Sequence, residues 1–249
     1  MKRKKALRCV CIVVALLLAA AAVTVAVIAD RGRLNGYHPL QKPEEGQIRV
    51  ACVGDSVTYG FGIPHYRKNC YPAVLQKLLG EAYCVNNYGY SGRTACLLGD
   101  RPYRTENLCT QSRAFEPDIV ILLLGANDAK TFNWNTEVGG VQAYPELFES
   151  DLAELIAMYQ NLPSAPKVYV ATPLPAYEDG SGKVRYNIQP DVIENEILPI
   201  VQRVTAQTGA VGIDLFSVFD GKRELYSDGL HPTAEGAALL AQAVYNAIR

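Results

Sequence analysis

Two segments far apart in the sequence carry the residue types of a hydrolytic site. Ser56 follows Gly54 and Asp55 directly after a short apolar run, and Asp228 and His231 stand three residues apart near the C-terminus. A carboxylate that fixes the tautomer of an imidazole, together with an imidazole that takes the proton of a serine hydroxyl, provides a nucleophile for acyl transfer. The alternatives are that Ser56 only caps a helix and that the Asp–His pair is incidental.

Two further segments offer hydrogen-bond donors for an oxyanion. Residues 87–93 contain glycines, and a glycine lets the backbone N–H approach a ligand closely. Asn127 follows the most apolar run of the chain, and its side-chain amide can donate to an oxygen that becomes negative during acyl transfer. Each segment, taken alone, also fits an ordinary turn.

The predicted secondary structure places these segments at one edge of a sheet. Apolar runs alternate with helical patterns, which is typical of a parallel sheet with helices on both faces. The predicted strands are residues 48–53, 82–85, 118–124, 167–171 and 211–214. The predicted helices are residues 71–79, 144–161, 188–208 and 233–248. Pro199 is expected to kink or divide the third helix. Because ligands bind at the carboxyl ends of parallel strands, the candidate segments are expected to converge there.

Taken together, the segments resemble the sequence blocks of the SGNH (GDSL-type) hydrolase family. The matching blocks are Gly54-Asp55-Ser56, Gly92 within residues 87–92, Gly125-Ala126-Asn127-Asp128, and Asp228-Gly229-Leu230-His231-Pro232. The resemblance implies an α/β fold, a flavodoxin-like three-layer α/β/α sandwich with a parallel five-stranded sheet.

The same resemblance assigns roles to individual residues. It implies that Ser56 is the nucleophile, His231 the general base and then acid, and Asp228 the residue that orients His231. The oxyanion hole would consist of the N–H groups of Ser56 and Gly92 and the Asn127 side chain. Two further acidic residues in the blocks are expected to brace the loops: Asp55 and Asp128. This chemistry requires no metal and no organic cofactor.

The substrate is less clearly indicated. Residues 59–63 and 70–75 and the loop after Ala171 are similar to bacterial sialate and carbohydrate O-acetylesterases. This similarity implies hydrolysis of a short-acyl, acetyl-type ester on a carbohydrate. The alternatives are a lysophospholipase or thioesterase that acts on lipids, and a catalytically inactive, membrane-tethered glycan-binding domain.

Four loop residues near the predicted strand ends are candidates for contacts to a sugar. They are Arg93, Trp134, Tyr177 and Arg185. The alternative for each of them is a role in local packing or on a solvated surface. Two histidines, His38 and His65, lie in loops without recognisable partners, and no function is expected for either.

The N-terminal residues predict export. Residues 1–8 are basic and are expected to stay in the cytoplasm, whereas 9–29 are apolar and long enough to cross a hydrocarbon core of roughly 30 Å. Residues 30–47 are the expected linker, and 48–249 the extracytoplasmic hydrolase domain. A cleaved signal peptide is the alternative to a retained transmembrane anchor.

Composition limits the remaining possibilities. The chain is 49% hydrophobic and 20% charged, which fits a globular domain. The net charge is −1, and no basic stripe follows the N-terminus, which argues against a nucleic-acid partner. Five cysteines follow residue 30, with spacings that match no zinc site. They form either one disulfide, for which Cys96–Cys109 is the best candidate, or none.

Overall fold

The computed structural model describes residues 2–30, 37–138 and 141–249. Within these ranges the strands are β1 (Ile48–Gly54), β2 (Tyr83–Gly89), β3 (Ile119–Leu123), β4 (Glu137–Val138), β5 (Val141–Gln142), β6 (Lys167–Ala171) and β7 (Val211–Ile213). Five of them form one parallel sheet in the order β2-β1-β3-β6-β7, which confirms the predicted sheet. Strands β4 and β5 pair separately as a short antiparallel ribbon, which was not predicted.

The α-helices among the described residues are α1 (Lys2–Asp30), α2 (Ser56–Tyr59), α3 (Tyr66–Asn69), α4 (Tyr71–Leu79), α5 (Asn107–Ala114), α6 (Thr131–Trp134), α7 (Tyr144–Gln160), α8 (Pro190–Val192), α9 (Leu198–Thr208), α10 (Leu215–Phe219) and α11 (Ala234–Ile248). The predicted helices correspond to α4, α7, α8–α9 and α11. A π-helix at Ile193–Ile197 joins α8 to α9, and Pro199 lies in the first turn of α9. Pro199 has no N–H to donate within a helix, and the hydrogen-bond pattern widens to the π type immediately before it.

Both faces of the sheet are covered by helices. On one face Val53 and Leu122 pack in a core that includes residues of α5, α7 and α9. On the other face Cys52 and Ile121 pack in a second core, with residues of α4 and α11. Successive strand residues point to opposite faces, so burial on both faces explains why these strands are continuously apolar. The predicted three-layer α/β/α sandwich is therefore confirmed.

The sheet order creates a crevice at the carboxyl ends of β1, β2 and β3. The chain passes from β1 to β2 on one side and then crosses to β3 on the other side, so that Gly54 is level with both Gly89 and Leu123. A Cβ at Gly54 would lie 2.2 Å from Oγ1 of Thr58 and 2.5 Å from the carbonyl oxygen of Leu123. Glycine at this position therefore allows α2 to start close against the neighbouring strand.

The described N-terminal helix is apolar and separate from the two cores. Its segment Val13–Asp30 has a mean hydropathy of 2.5, and none of that segment is buried. The length and composition of the helix suffice to cross a membrane, and a signal sequence has the same properties. Residues 31–36 of the expected linker lie outside the described ranges.

The described part of the expected linker packs on the domain. The backbone of Gln41 exchanges two hydrogen bonds with the side chain of Asn86, of 2.8 and 2.9 Å. His38 is buried and donates from Nε2 to the carbonyl oxygen of Tyr59, at 2.8 Å. Burial lowers the pKa of His38 to about 4, so its imidazole remains neutral. The expectation that His38 lacks partners is wrong, because its partner is distant in sequence.

The five cysteines of the domain are all unpaired and buried. Cys96 and Cys109 lie in the same hydrophobic core, so the disulfide suggested for them is absent from the structure. Both behave there as small apolar side chains.

Candidate active site

The two segments that carry Ser56 and His231 meet at the carboxyl edge of the sheet. Oγ of Ser56 lies 3.0 Å from Nε2 of His231. Nδ1 of His231 lies 2.9 Å from Oδ2 of Asp228 and 3.2 Å from Oδ1. Ser56 and His231 are both buried. The three groups thus form a hydroxyl–imidazole–carboxylate chain with the distances that general-base activation of a serine requires.

Ser56 owes its position to the start of α2. The helix is capped by Asp55, whose Oδ1 accepts a 2.9 Å hydrogen bond from the N–H of Val57. The alternative interpretation of Ser56 as the capping residue is therefore wrong. Ser56 is the first helical residue, so its N–H group has no carbonyl oxygen of an earlier helical turn to donate to. Its hydroxyl and its N–H are both available at one point.

The loop that presents His231 is held by the same carboxylate that orients the ring. Oδ1 of Asp228 accepts from the N–H groups of Leu230, at 3.1 Å, and of His231, at 2.8 Å. Gly229 between them has a φ of +84°, and a Cβ there would lie 2.2 Å from the carbonyl oxygen of Tyr177. Burial favours a raised pKa for Asp228, but the hydrogen bonds and charge of His231 outweigh it and hold the pKa well below its usual range. Asp228 is therefore ionised.

The three predicted oxyanion donors line the same cavity as His231. This cavity of about 420 Å³ is bounded in part by Ser56, Gly92, Asn127 and His231. Nδ2 of Asn127 donates one of its two N–H bonds to Oδ2 of Asp55 at 3.0 Å. The second N–H of the amide can donate to an oxyanion. Gly92 has a φ of +83°, a conformation that glycine adopts at little cost.

Two buried carboxylates connect the loops that carry these donors. Asp55 joins the start of α2 to Asn127, as described above, and burial raises its pKa to about 6. Asp128 accepts 3.0 Å hydrogen bonds from the N–H groups of Ala95 and Cys96 and from the hydroxyl of Tyr144. Burial raises the pKa of Asp128 to about 7. These contacts support the predicted role of both residues as braces.

The structure corrects the expectation for Trp134. The side chain is 1% exposed and packs against the rings of Tyr144 and Phe148 in the core. Its indole N–H donates to Glu196 at 2.9 Å. In this conformation the ring has no free face for a sugar.

The expectations for Arg93 and Tyr177 are corrected in the same way. Arg93 is buried, pairs with Glu106 at 2.7 Å, and stacks on Tyr90. The hydroxyl of Tyr177 donates to the carbonyl oxygen of Phe219 at 2.9 Å. Neither side chain lines the cavity. Arg185 also does not line it, and its Nη1 lies 3.6 Å from Oδ2 of Asp228.

The cavity is lined by other residues that sequence reasoning missed. They are Phe61, Ser91, Asp100, Arg101, Lys130, Phe132, Tyr186, Asn187 and Leu230. The ring of Phe61 lies 4.6 Å from the ring of His231. Lys130 binds both carboxylate oxygens of Asp100 at 3.1 Å, so these two charges neutralise each other. Phe61 follows the block of Ser56, and Ser91 and Leu230 lie within two of the matching blocks, but the other six had no signal in the sequence that distinguished them from other loop residues.

Comparison with known proteins identifies the family. The model of the GDSL-like lipase/acylhydrolase family matches residues 52–239. An acetylxylan esterase of Xylanibacter ruminicola is 38% identical over 234 residues, which cover 86% of this chain and 46% of that protein. A multidomain esterase of Ruminococcus flavefaciens is 27% identical over 222 residues, covering 77% and 27% respectively. The chain therefore spans less than half the length of these two relatives.

Solved structures share the fold. An aryl esterase of M. smegmatis superposes with a TM-score of 0.61 at 23% identity, over 81% of this chain and 98% of that chain. The carbohydrate acetylesterase Est24 of Sinorhizobium meliloti gives a TM-score of 0.60 at 21% identity, over 81% and 98%. At these identities the likeness concerns the fold alone. Since the family model spans more than half of the sequence, the chain belongs to the GDSL-like lipase/acylhydrolase family of ester hydrolases.

Proposed function

We propose that the domain removes acetyl groups from a carbohydrate, using Ser56, His231 and Asp228 as a catalytic triad. The observation that carries the proposal is the 3.0 Å contact between Oγ of Ser56 and Nε2 of His231 at the wall of an open cavity. The substrate class is supported by the relative named as an acetylxylan esterase. An acetylated xylan is accordingly the first substrate to test.

The mechanism follows from the positions of the groups. Nε2 of His231 takes the proton of Ser56 as Oγ attacks the acetyl carbonyl carbon, and the ionised Asp228 stabilises the imidazolium that forms. The carbonyl oxygen becomes negative and accepts hydrogen bonds from Ser56, Gly92 and Asn127. His231 then returns the proton to the sugar oxygen, which leaves with its hydroxyl restored. Water, activated by the same imidazole, releases acetate from the acetyl-serine and restores the free hydroxyl.

A direct comparison of products tests the substrate class. We expect the full chain to release acetate from acetylated xylo-oligosaccharides, and the Ser56→Ala variant to release none above background. Fatty-acid release from lysophospholipid, without acetate release from the sugar, would favour a lipid hydrolase instead. A protein that hydrolyses neither and is not labelled by a fluorophosphonate would be a binding domain rather than an enzyme.

We also propose that α1 is a signal anchor that holds the domain outside the cytoplasm. The apolar helix and the basic residues before it support this orientation. Under this proposal the protein remains in the membrane fraction after an alkaline wash, and added protease digests the domain in intact cells. Recovery of the domain in the medium, cut near residue 29, would instead show a signal peptide.

The rate is expected to fall at acidic pH. His231 must be neutral to accept the serine proton, whereas Asp228 stays ionised because its pKa is lowered. A proton taken up from solvent would occupy Nε2 of His231, so kcat/KM, assayed from about pH 8 down to about pH 5, should decrease toward the acidic end. A pH–rate profile with a small acetyl ester measures this. A profile that stays flat over the same range would contradict the role of the imidazole.

Loss of the Asn127 amide is expected to slow the chemical step. Asn127→Ala removes one oxyanion donor and also leaves Oδ2 of Asp55 without its 3.0 Å partner. We expect kcat to fall by about 10²- to 10³-fold, with a much smaller change in KM. Steady-state kinetics and thermal unfolding of the same preparation separate the catalytic loss from a loss of stability. Asn161→Ala, at the exposed end of α7, is a matched control.

A further inference from the structure

Two half-exposed aromatic side chains line the cavity beside the triad. Phe132 is 55% exposed and Tyr186 is 50% exposed, although both are large and apolar. Most aromatic side chains of the described domain are buried, as expected from the hydrophobic effect. An apolar ring left exposed at the mouth of a cavity indicates a surface that another molecule covers.

The two rings are held on the same rim by hydrogen bonds between their segments. Oγ1 of Thr131, next to Phe132, donates to the carbonyl oxygen of Asn187 at 3.1 Å. The N–H of Gln189 donates to the carbonyl oxygen of Ala129 at 3.0 Å. These contacts join the segment of Phe132 to that of Tyr186, so that the rings form parts of one preformed surface.

The backbone at Tyr186 is strained. Its φ is +59°, and that of the next residue, Asn187, is +55°. Asparagine tolerates this left-handed region, but a tyrosine seldom adopts it. Such conformations persist where the surrounding structure enforces them, and they cluster at functional sites. Here the conformation places the Tyr186 ring 6.0 Å from the His231 ring.

The polar groups around these rings favour a sugar over an acyl chain. Asp100, Arg101 and Lys130 line the same cavity, and Arg101 is well exposed, with only a 4.0 Å contact to Asp100. Because Asp100 and Lys130 pair with each other, Arg101 is the charged group that a fatty acyl chain would cover without offering it a hydrogen bond. A pyranose ring matches the pattern, because its C–H faces pack on aromatic rings while its hydroxyls reach polar side chains.

We propose that Phe132 and Tyr186 form an aromatic rim that binds the pyranose rings of the glycan next to the acetylated position. This inference rests on the proposed function and deepens it, since it names the residues that select a glycan. It replaces the residues expected from the sequence by two that no sequence signal had marked. Because the rim and Ser56 line the same cavity, a glycan whose rings pack on the rim would bring its neighbouring acetylated position to the Ser56 hydroxyl.

The test compares a substrate that has pyranose rings with one that has none. For Phe132→Ala and Tyr186→Ala, we expect the kcat/KM for acetylated xylo-oligosaccharide, relative to that for ethyl acetate, to fall about 3- to 30-fold. Tyr186→Phe and Phe132→Tyr keep a ring and should stay close to wild type. Leu78→Ala, which truncates an apolar side chain of α4 that is 36% exposed and lies outside the cavity, should leave the ratio unchanged.

A binding measurement separates the rim from the reaction. Calorimetric titration of Ser56→Ala with unacetylated xylohexaose should show binding that weakens when either ring is also removed. Equal losses of kcat/KM on both esters in the alanine variants would contradict the proposed rim. So would a failure of Ser56→Ala to bind xylohexaose with both rings present. If xylohexaose binds through the rings but wild type releases no acetate from the acetylated sugar, the proposed function fails and the rim stands.

Discussion

Replacing Ser56 with alanine is expected to lower kcat by about 10⁴- to 10⁶-fold without changing the fold. The hydroxyl is the proposed nucleophile, and its oxygen lies 3.0 Å from Nε2 of His231. The helix start does not depend on it, because Asp55 supplies the cap. The loss should therefore appear in kcat and in labelling by a fluorophosphonate, while the thermal unfolding midpoint stays near that of wild type.

Ser150→Ala provides the control for this prediction. Ser150 lies on α7, is exposed, and its hydroxyl donates only to the carbonyl oxygen of Leu147 within the same helix. This variant should match wild type in rate and in labelling. Activity of Ser56→Ala within about tenfold of wild type would show that another group is the nucleophile.

The parts of this protein that the sequence predicts are those governed by burial and by fixed local geometry. The strand at Ile119–Leu123 is apolar at every position because both faces are covered, and this pattern is unambiguous. In the blocks around Ser56 and His231, the local backbone needs a glycine where a Cβ would clash, and a carboxylate that accepts hydrogen bonds from nearby N–H groups. Such local requirements can be recognised in a sequence from the types of the residues and their spacing.

The surroundings of the site depend instead on distant partners. Arg93 was a plausible sugar contact, but Glu106 lies close enough to neutralise it, and Trp134 turns into a core formed by α7. His38 contacts α2, at the carbonyl oxygen of Tyr59, because the segment before β1 folds back on the domain. Which way a loop side chain points is set by these tertiary contacts, and no local pattern encodes them.

Backbone conformation explains why Tyr186 was missed. A left-handed conformation is expected at glycine and asparagine, so a tyrosine gives no sign that it occupies this region. The neighbouring residues Asn187 and Gln189 are hydrogen-bonded to Thr131 and Ala129, so the backbone of this segment is held by a part of the chain that is distant in sequence. The proposed selectivity for a glycan therefore depends on a residue, Tyr186, that no sequence pattern marks.

Asp228→Asn is expected to reduce kcat by about 10⁴-fold while leaving the loop in place. Oδ1 of Asp228 accepts from the N–H groups of Leu230 and His231, and the amide oxygen of asparagine can accept the same two bonds. The amide nitrogen would then occupy the place of Oδ2, which lies 2.9 Å from Nδ1 of His231. An amide N–H can only donate there, so Nδ1 must accept and the ring proton moves to Nε2.

The protonated Nε2 can no longer accept the proton of Ser56, and this makes the predicted loss large although one atom is changed. Flipping the asparagine amide would restore the tautomer only by turning the NH₂ group toward two backbone N–H groups, which the loop geometry opposes. Nitrogen-15 chemical shifts of the His231 ring report the tautomer directly. A variant that keeps the wild-type tautomer and loses less than about tenfold in kcat would show that Asp228 holds the loop without controlling the imidazole.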